Sequence, residues 1–320
     1  MSNQNLSEAR RCKNDEFYTR IEDIENEILN HPECVEAMNG KSVYMNCDNP
    51  YKSNFVKFFT THFKELHLAS ITATNYSESS ADAYKMHWEG DYDADGRPLV
   101  NISHLEGNGD FRSQECIEIL KKSDIICTNP PFSLFREYIA QIMKYNKKFL
   151  IIGSINAIAY KEVFPLIKNN KMHLGYERQV KFTIPSGDIK NIATYWYTNL
   201  STNKSNGELH LTKNYKGNED KYPKYDNYDA INCNRTADIP KDYYGIIGVP
   251  ISFMEKYCPE QFEIIGMAAG WTQKQMPKSW KQRVGYNENI YFKSGTRSYG
   301  IVNGVQKYHR ILIKRKVKNM

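Results

Sequence analysis

An apolar run near the middle of the chain, Asp124-Ile125-Ile126-Cys127-Thr128, stops on the tetrad Asn129-Pro130-Pro131-Phe132. Taken alone, the tetrad is a good strand terminator, because proline fixes φ and has no N–H to give to a ladder. Its groups also suit a chemical task. The Asn129 amide oxygen and the Pro130 carbonyl are two acceptors, and Pro131 stiffens the backbone that aims the second. Two acceptors side by side match the two N–H donors of an exocyclic amine. The nitrogen of such an amine on a nucleobase is a poor nucleophile, because its lone pair is delocalised into the ring. One acceptor on each hydrogen favours a pyramidal nitrogen whose lone pair is free, a stabilisation realised mainly in the transition state. Phe132 would then stack on a base turned out of its helix.

Such a tetrad needs a scaffold that holds its strand end beside other loops. Lys41–Asp48 reads as a strand ending in the turn Asn49-Pro50-Tyr51-Lys52, and Ser53–Leu66 carries apolar residues at helical spacing. Residues 67–76 read as a second strand. Asp95-Gly96 suggests a hairpin or an excursion in the polar stretch that follows. Ser113 can cap a helix over 113–123, which runs directly into the strand 124–128, and Ser133 can cap a helix over 134–145. Residues 147–155 read as a buried strand, followed by a helix near 160–170 and later strands at Val180–Pro185 and Ile192–Leu200. Alternating strands and helices predict a doubly wound, mostly parallel α/β sheet, in which ligands bind at the carboxyl ends of strands. The turns after the strands, and the Gly109-Asp110-Phe111 turn, should then share one rim. Regular alternation fades after about residue 200, which predicts one domain over 1–200 and a second region over 201–320.

Charge divides the chain in the same sense. Residues 271–320 carry twelve Lys or Arg against one acid, Glu288, so the total of +6 leaves 1–270 near −5. Aromatic residues interleave with these cations at Trp271, Trp280, Tyr286, Tyr291, Phe292 and Tyr299. The pattern predicts a polyanion-binding surface, basic from about residue 271. The seven cysteines form no C-x-x-C pair, so neither a disulfide framework nor a metal site is expected. No apolar run is long enough for a membrane span and the first residues lack the core of a signal peptide, so a cytoplasmic location is expected.

The tetrad matches the (D/N/S)PP(Y/F) motif of S-adenosylmethionine-dependent amino methyltransferases. The wider set KNDEFYT (13–19), NCDNPYKSNF (46–55), GDFRS (109–113), KKSDIICTNPPFSLFREYI (121–139) and PKYDNYDAIN (223–232) resembles the EcoRI-type adenine-N6 DNA methyltransferases, from about residue 13 to the HRILIK near 309–314. The resemblance implies a Rossmann-like class I methyltransferase fold with a C-terminal target-recognition region and S-adenosyl-L-methionine as methyl donor. It also implies double-stranded DNA as partner, entered by base flipping. Phe17, Tyr18 and Thr19 would close over the cofactor, and Asn46, Cys47 and Asp48 would surround its methionine end. Asp110 would accept from its adenine amine, with Phe111 packed beside. Asn129 and Pro130 would bind the target amine, held by Pro131, and Phe132 would stack on the target base with Phe182 as a second aromatic clamp. The turn 46–53 lacks the glycines usual in methyltransferases, and the strand ending at Thr74 has no acid at its tip. The family also implies monomeric action and a place in restriction–modification beside a cognate endonuclease, or as an orphan or phage enzyme. Related tetrads serve RNA bases, cytosine N4 and guanine N2, which remain the alternatives, together with a DNA-binding module that has lost turnover.

Overall fold

Long apolar runs bounded by turn residues become the strands of two separate sheets in the computed structural model, which describes residues 18–178, 180–183, 189–202, 207–269, 271, 277–290 and 299–317. The chain divides into two units, one made of residues up to Ile155 with Met172–Asn203, the other of Asn156–Lys171 with the residues from Lys204 onward.

The first unit is built on an eight-stranded sheet. Its strands are β2 (Ser42–Met45), β3 (Ser70–Thr74), β4 (Tyr84–Trp88), β5 (Asn101–His104), β6 (Ile125–Thr128), β7 (Lys148–Ser154), β8 (His173–Arg178) and β11 (Thr194–Thr198), in the order β5-β4-β3-β2-β6-β7-β11-β8. β3, β2, β6 and β7 run parallel side by side. Only β4 and β11 run against the rest, so the fold is a doubly wound α/β sheet of the Rossmann-like kind. The hairpin that Asp95-Gly96 suggested is the connection between β4 and β5, with Gly96 at φ +77°.

Five helices of this unit are α1 (Ile21–Ile28), α2 (Pro32–Met38), α3 (Asn54–Thr61), α4 (Gln114–Lys122) and α5 (Phe135–Lys144). Alternate residues of the central strands, Val43, Met45, Ile71, Ala73, Ile125 and Cys127, share a core with Ile24 and Ile28 of α1 and Phe55, Phe58 and Phe59 of α3. The intervening residues, Tyr44, Ile126, Phe149 and Ile151, are buried on the other face. A strand covered on both faces has no polar side to show, which explains its unbroken apolar sequence. Ser53 caps α3 by accepting from the Phe55 N–H at 3.0 Å, and Ser113 caps α4 through the Cys116 N–H at 3.2 Å. Each such cap contributes about 1 kcal/mol. Ser133 does not cap α5. It lies within a single 3₁₀ turn, Phe132–Leu134, and Leu134 precedes the helix without a side-chain bond. A small antiparallel sheet joins β1 (Tyr18–Thr19), β9 (Lys181–Thr183) and β10 (Ile189–Asn191).

The second unit has its own four-stranded sheet of β12 (Ala230–Asn232), β13 (Ile246–Pro250), β14 (Phe262–Ala268) and β17 (Arg310–Arg315), ordered β12-β13-β17-β14, besides the hairpin of β15 (Ile301–Val302) and β16 (Val305–Gln306). Two short helices, α6 (Phe164–Lys168) and α7 (Lys278–Arg283), belong to it. Residues 156–171, read from sequence as part of the first domain, cluster here instead. The Trp271 indole donates to Ala159 O at 3.0 Å and Lys168 Nζ to Ile265 O at 2.8 Å. Within the basic C-terminal segment, Ile311, Leu312 and Ile313 of β17 are fully buried between β13 and β14. Of the aromatic residues that interleave with the cations, Trp280 belongs to this unit's core and Tyr286 packs against it. Trp280 is buried with its N–H on Ile265 O at 3.0 Å, over Gly266, where a Cβ would lie 2.7 Å from the indole nitrogen. Tyr291 and Phe292 lie outside the described residues. Among the described residues no helix is long and apolar enough to cross a membrane.

Candidate active site

The carboxyl ends of β2, β3, β5 and β6 open on one edge of the first sheet, carrying the loops 46–53, 75–83, 105–113 and 129–134. From β2 the chain winds outward to β3 and then returns to β6 on the other side of β2. The β2–β6 pair is therefore the switch point, where the sheet leaves a crevice at its carboxyl edge.

One buried carboxylate ties the two loops of that crevice together. Asp48, 6% exposed, accepts from the Ser53 hydroxyl at 2.6 Å and from the hydroxyl of Thr128, the residue before the tetrad. Its own N–H donates to Thr74 O at 2.9 Å, which adds the end of β3. Burial pushes the Asp48 carboxyl up to about 6, against the opposing effect of the two hydroxyl donors. With both oxygens engaged inside the protein, the Asp48 side chain acts as a strut between β2, α3 and β6. Beside it, burial and the Asp48 charge push the Cys47 thiol well up, so it stays protonated.

Helix α5 grips the remaining loops from one face. The Tyr138 hydroxyl donates to Asn46 Oδ1, and the Tyr138 ring meets the Phe111 ring edge-to-face at 5.1 Å. Gln141 Nε2 donates to Phe111 O at 2.8 Å. Glu137 accepts from Arg112 Nη1 at 2.7 Å, while the same guanidinium donates to both oxygens of Asp110 at 2.9 and 2.7 Å. Residues 137, 138 and 141 share a helical face by their spacing. The Arg112 guanidinium holds the Asp110 carboxyl below its ordinary value, so it is an ionised acceptor at neutral pH. Gly109, at φ +74°, is packed so closely that a Cβ would lie 1.9 Å from Asn75 O, which fixes the approach of this turn to the end of β3.

The tetrad sits at the crevice with Asn129 and Phe132 half-buried, Pro130 buried and Pro131 exposed. Among the described residues no peptide bond is cis, and Pro131 O accepts from the Leu134 N–H at 3.0 Å. Among the described residues no backbone donor reaches the Pro130 carbonyl. Phe132 meets Phe182 edge-to-face at 6.4 Å. Phe182 itself is 0% exposed within the core cluster, so in this conformation it backs Phe132 and offers no open face to a base. Across the small sheet Phe182 stands opposite Thr19, whose carbonyl accepts from Asn54 Nδ2 at 2.8 Å. The Thr19 hydroxyl is buried, at 3% exposure, and has no hydrogen-bond partner among the described residues. Phe17 lies outside the described residues, and Tyr18 is placed through its strand pairing with Thr183.

The structure thus gathers Asn46, Cys47, Asp48, Asp110, Phe111 and the tetrad on one edge, with Thr19 and Phe182 joined through Phe132. Sequence reasoning missed Thr128, Tyr138, Gln141 and the Arg112–Glu137 pair. The available signal was the polar Glu137 and Gln141, four residues apart, flanking Tyr138 on a helix whose buried face is otherwise Phe135, Ile139 and Ile142.

A family model described as adenine-specific methyltransferase EcoRI matches residues 5–316. The chain belongs to this EcoRI methyltransferase family. It is 43% identical to the Type II methyltransferase M.EcoRI of Escherichia coli over 98% of this chain and 97% of that protein. It is 34% identical to M.MgeORF184P of Mycoplasma genitalium and 33% to M.MpnI of Mycoplasma pneumoniae, both named Type II methyltransferases, each over 97% of this chain and 98% of the relative. The EcoRI-family match runs through both units, so the strut at Asp48, the α5 face and the β17 sheet all lie inside it.

Proposed function

We propose that this chain is a site-specific adenine-N6 DNA methyltransferase, with S-adenosylmethionine as donor and a flipped adenine of double-stranded DNA as acceptor. The observation that carries the reading is the Asp48–Thr128 bond, which fixes the tetrad's strand to the switch-point crevice where a doubly wound sheet binds its ligand. The bound donor supplies an electrophilic methyl group on a sulfonium. The residues at hand suit it: an ionised Asp110 to accept from an amine, Phe111 held beside it by Tyr138, and a buried Thr19 hydroxyl without a partner among the described residues.

Asn129 Oδ1 and the Pro130 carbonyl each accept one hydrogen of the adenine amine and turn its lone pair toward the crevice. Phe132 stacks on the base and excludes water from one side. As the nitrogen takes the methyl group it becomes cationic, and the two acceptors stabilise that charge until one proton leaves to solvent. No side chain needs to form a covalent bond. In this reading the first unit performs transfer and the second reads the target. The enzyme works as a monomer in the cytoplasm, one strand at a time, with a restriction endonuclease of the same site as its natural counterpart. Sequencing of modified bases in DNA from cells expressing the chain tests it: N6-methyladenine confined to one short sequence is expected. Modification of RNA alone, or of cytosine, would overturn it.

A further inference from the structure

The second unit carries a polar groove of about 410 Å³ that the chemistry above does not use. Three cations line it, Lys213, Lys221 and Arg235, against a single acid, Asp238. Asp238 is taken by Arg235 through two bonds of 3.0 Å, so that pair is neutral. Lys213 and Lys221 are exposed and have no acidic partner among the described residues, and Lys221 is steadied by Asn218 Oδ1 at 2.8 Å. The groove therefore presents two uncompensated positive charges in a small space, which selects for an anion.

Its second feature is a fixed amide. Asn232, on β12, is 2% exposed, and its Oδ1 accepts from the Tyr225 hydroxyl at 2.8 Å and from Arg310 Nε at 3.3 Å. That leaves its Nδ2 to donate to Asn234 Oδ1 at 3.0 Å. Asn234 is exposed, and this bond sets which way its amide points. Asn234 lines the groove, and among the described residues no other hydrogen bond engages its Oδ1 or its Nδ2. An acceptor and a donor at that separation match the N6 and N7 edge of adenine in the major groove.

We infer that this groove is a nucleotide-contact site for duplex DNA, with Lys213 and Lys221 on phosphodiester oxygens and Asn234 on the neighbouring base edge. The inference rests on the DNA methyltransferase reading for its biological setting, while its test reads DNA binding directly. Anisotropy of a labelled duplex is measured over a series of KCl concentrations, with one duplex carrying the modified sequence mapped in cells and one scrambled. The double variant Lys213→Gln/Lys221→Gln should lower the slope of log affinity against log salt by about 0.9 for each phosphate no longer neutralised, on both duplexes alike. Asn234→Ala should leave the slope and reduce the preference for the mapped duplex by roughly tenfold to a hundredfold. A double variant that keeps the wild-type slope, in a protein that still methylates DNA, overturns the groove alone. Inorganic phosphate bound by wild type and not by the double variant, with duplex binding equal in both, assigns the groove to a small anion and also overturns it. A wild-type protein that shows the expected slopes on the scrambled duplex yet methylates nothing removes the methyltransferase reading and leaves the groove standing.

Discussion

At the scale of single residues, two side chains separate chemistry from positioning. On the proposed mechanism Asn129→Ala removes one of two acceptors on the reacting amine and should lower kcat by about 10² to 10³. Cofactor affinity, measured by calorimetry, should be unchanged, and full activity in the variant would refute the assigned role. Asp48 differs in kind, because its carboxyl is raised from 3.8 to about 6 by burial. The folded protein therefore holds a proton between about pH 4 and 6 that the unfolded chain releases. This contribution to stability is present at low pH and is lost as the pH rises through about 6. Asp48→Asn removes the titration. The stability of wild type relative to this variant should thus fall by about 2–3 kcal/mol between pH 4 and 7 in denaturant titrations, and a pH-independent difference would contradict the assignment. The tetrad and Gly109-Asp110-Phe111 were legible in sequence because their backbone peculiarities are written in Pro and Gly. The partners of Asp48 were not, because a buried carboxylate looks like any other until Ser53 and Thr128, five and eighty residues away, are brought to it.

At the scale of elements, α5 is the part that makes separate loops into one site. Its first residue follows the tetrad's 3₁₀ turn, and its Tyr138 and Gln141 hold Asn46 and Phe111. Tyr138→Phe keeps the ring contact with Phe111 but takes the donor from Asn46, at a cost of about 1 kcal/mol. The expected signature is a KM for S-adenosylmethionine raised roughly fivefold with kcat less affected. A loss confined to kcat would place Tyr138 elsewhere in the cycle. Elements with strong local signals, such as β2, β6, β7 and the capped α3 and α4, were readable from pattern alone. Those of the second unit were not. β12 is three residues long, and β17 pairs with strands that lie some forty to seventy residues earlier, so its burial depends on contacts that no local window contains.

At the scale of the whole molecule, the chain leaves the first unit after Ile155, returns at Met172, and leaves again after Asn203. The second unit therefore has two covalent pieces. Residues 204–320 expressed alone lack Ala159 for the Trp271 indole and the Phe164 ring that Trp271 meets at 6.1 Å. That fragment should show poor amide dispersion and a broad thermal transition, and linking residues 156–171 to it through a flexible tether should restore a cooperative one. A well-folded 204–320 would show that the inserted piece is dispensable. The same connectivity bears on how such a protein could acquire a new target. If the second unit is the reader proposed above, a single crossover near residue 200 would graft a foreign reader onto a chain still carrying the old one's 156–171, and the two halves of the reader's core would then be strangers. Exchange of specificity by shuffling needs two matched segments moved together, so change by point substitution on the exposed face of a retained frame is the easier route.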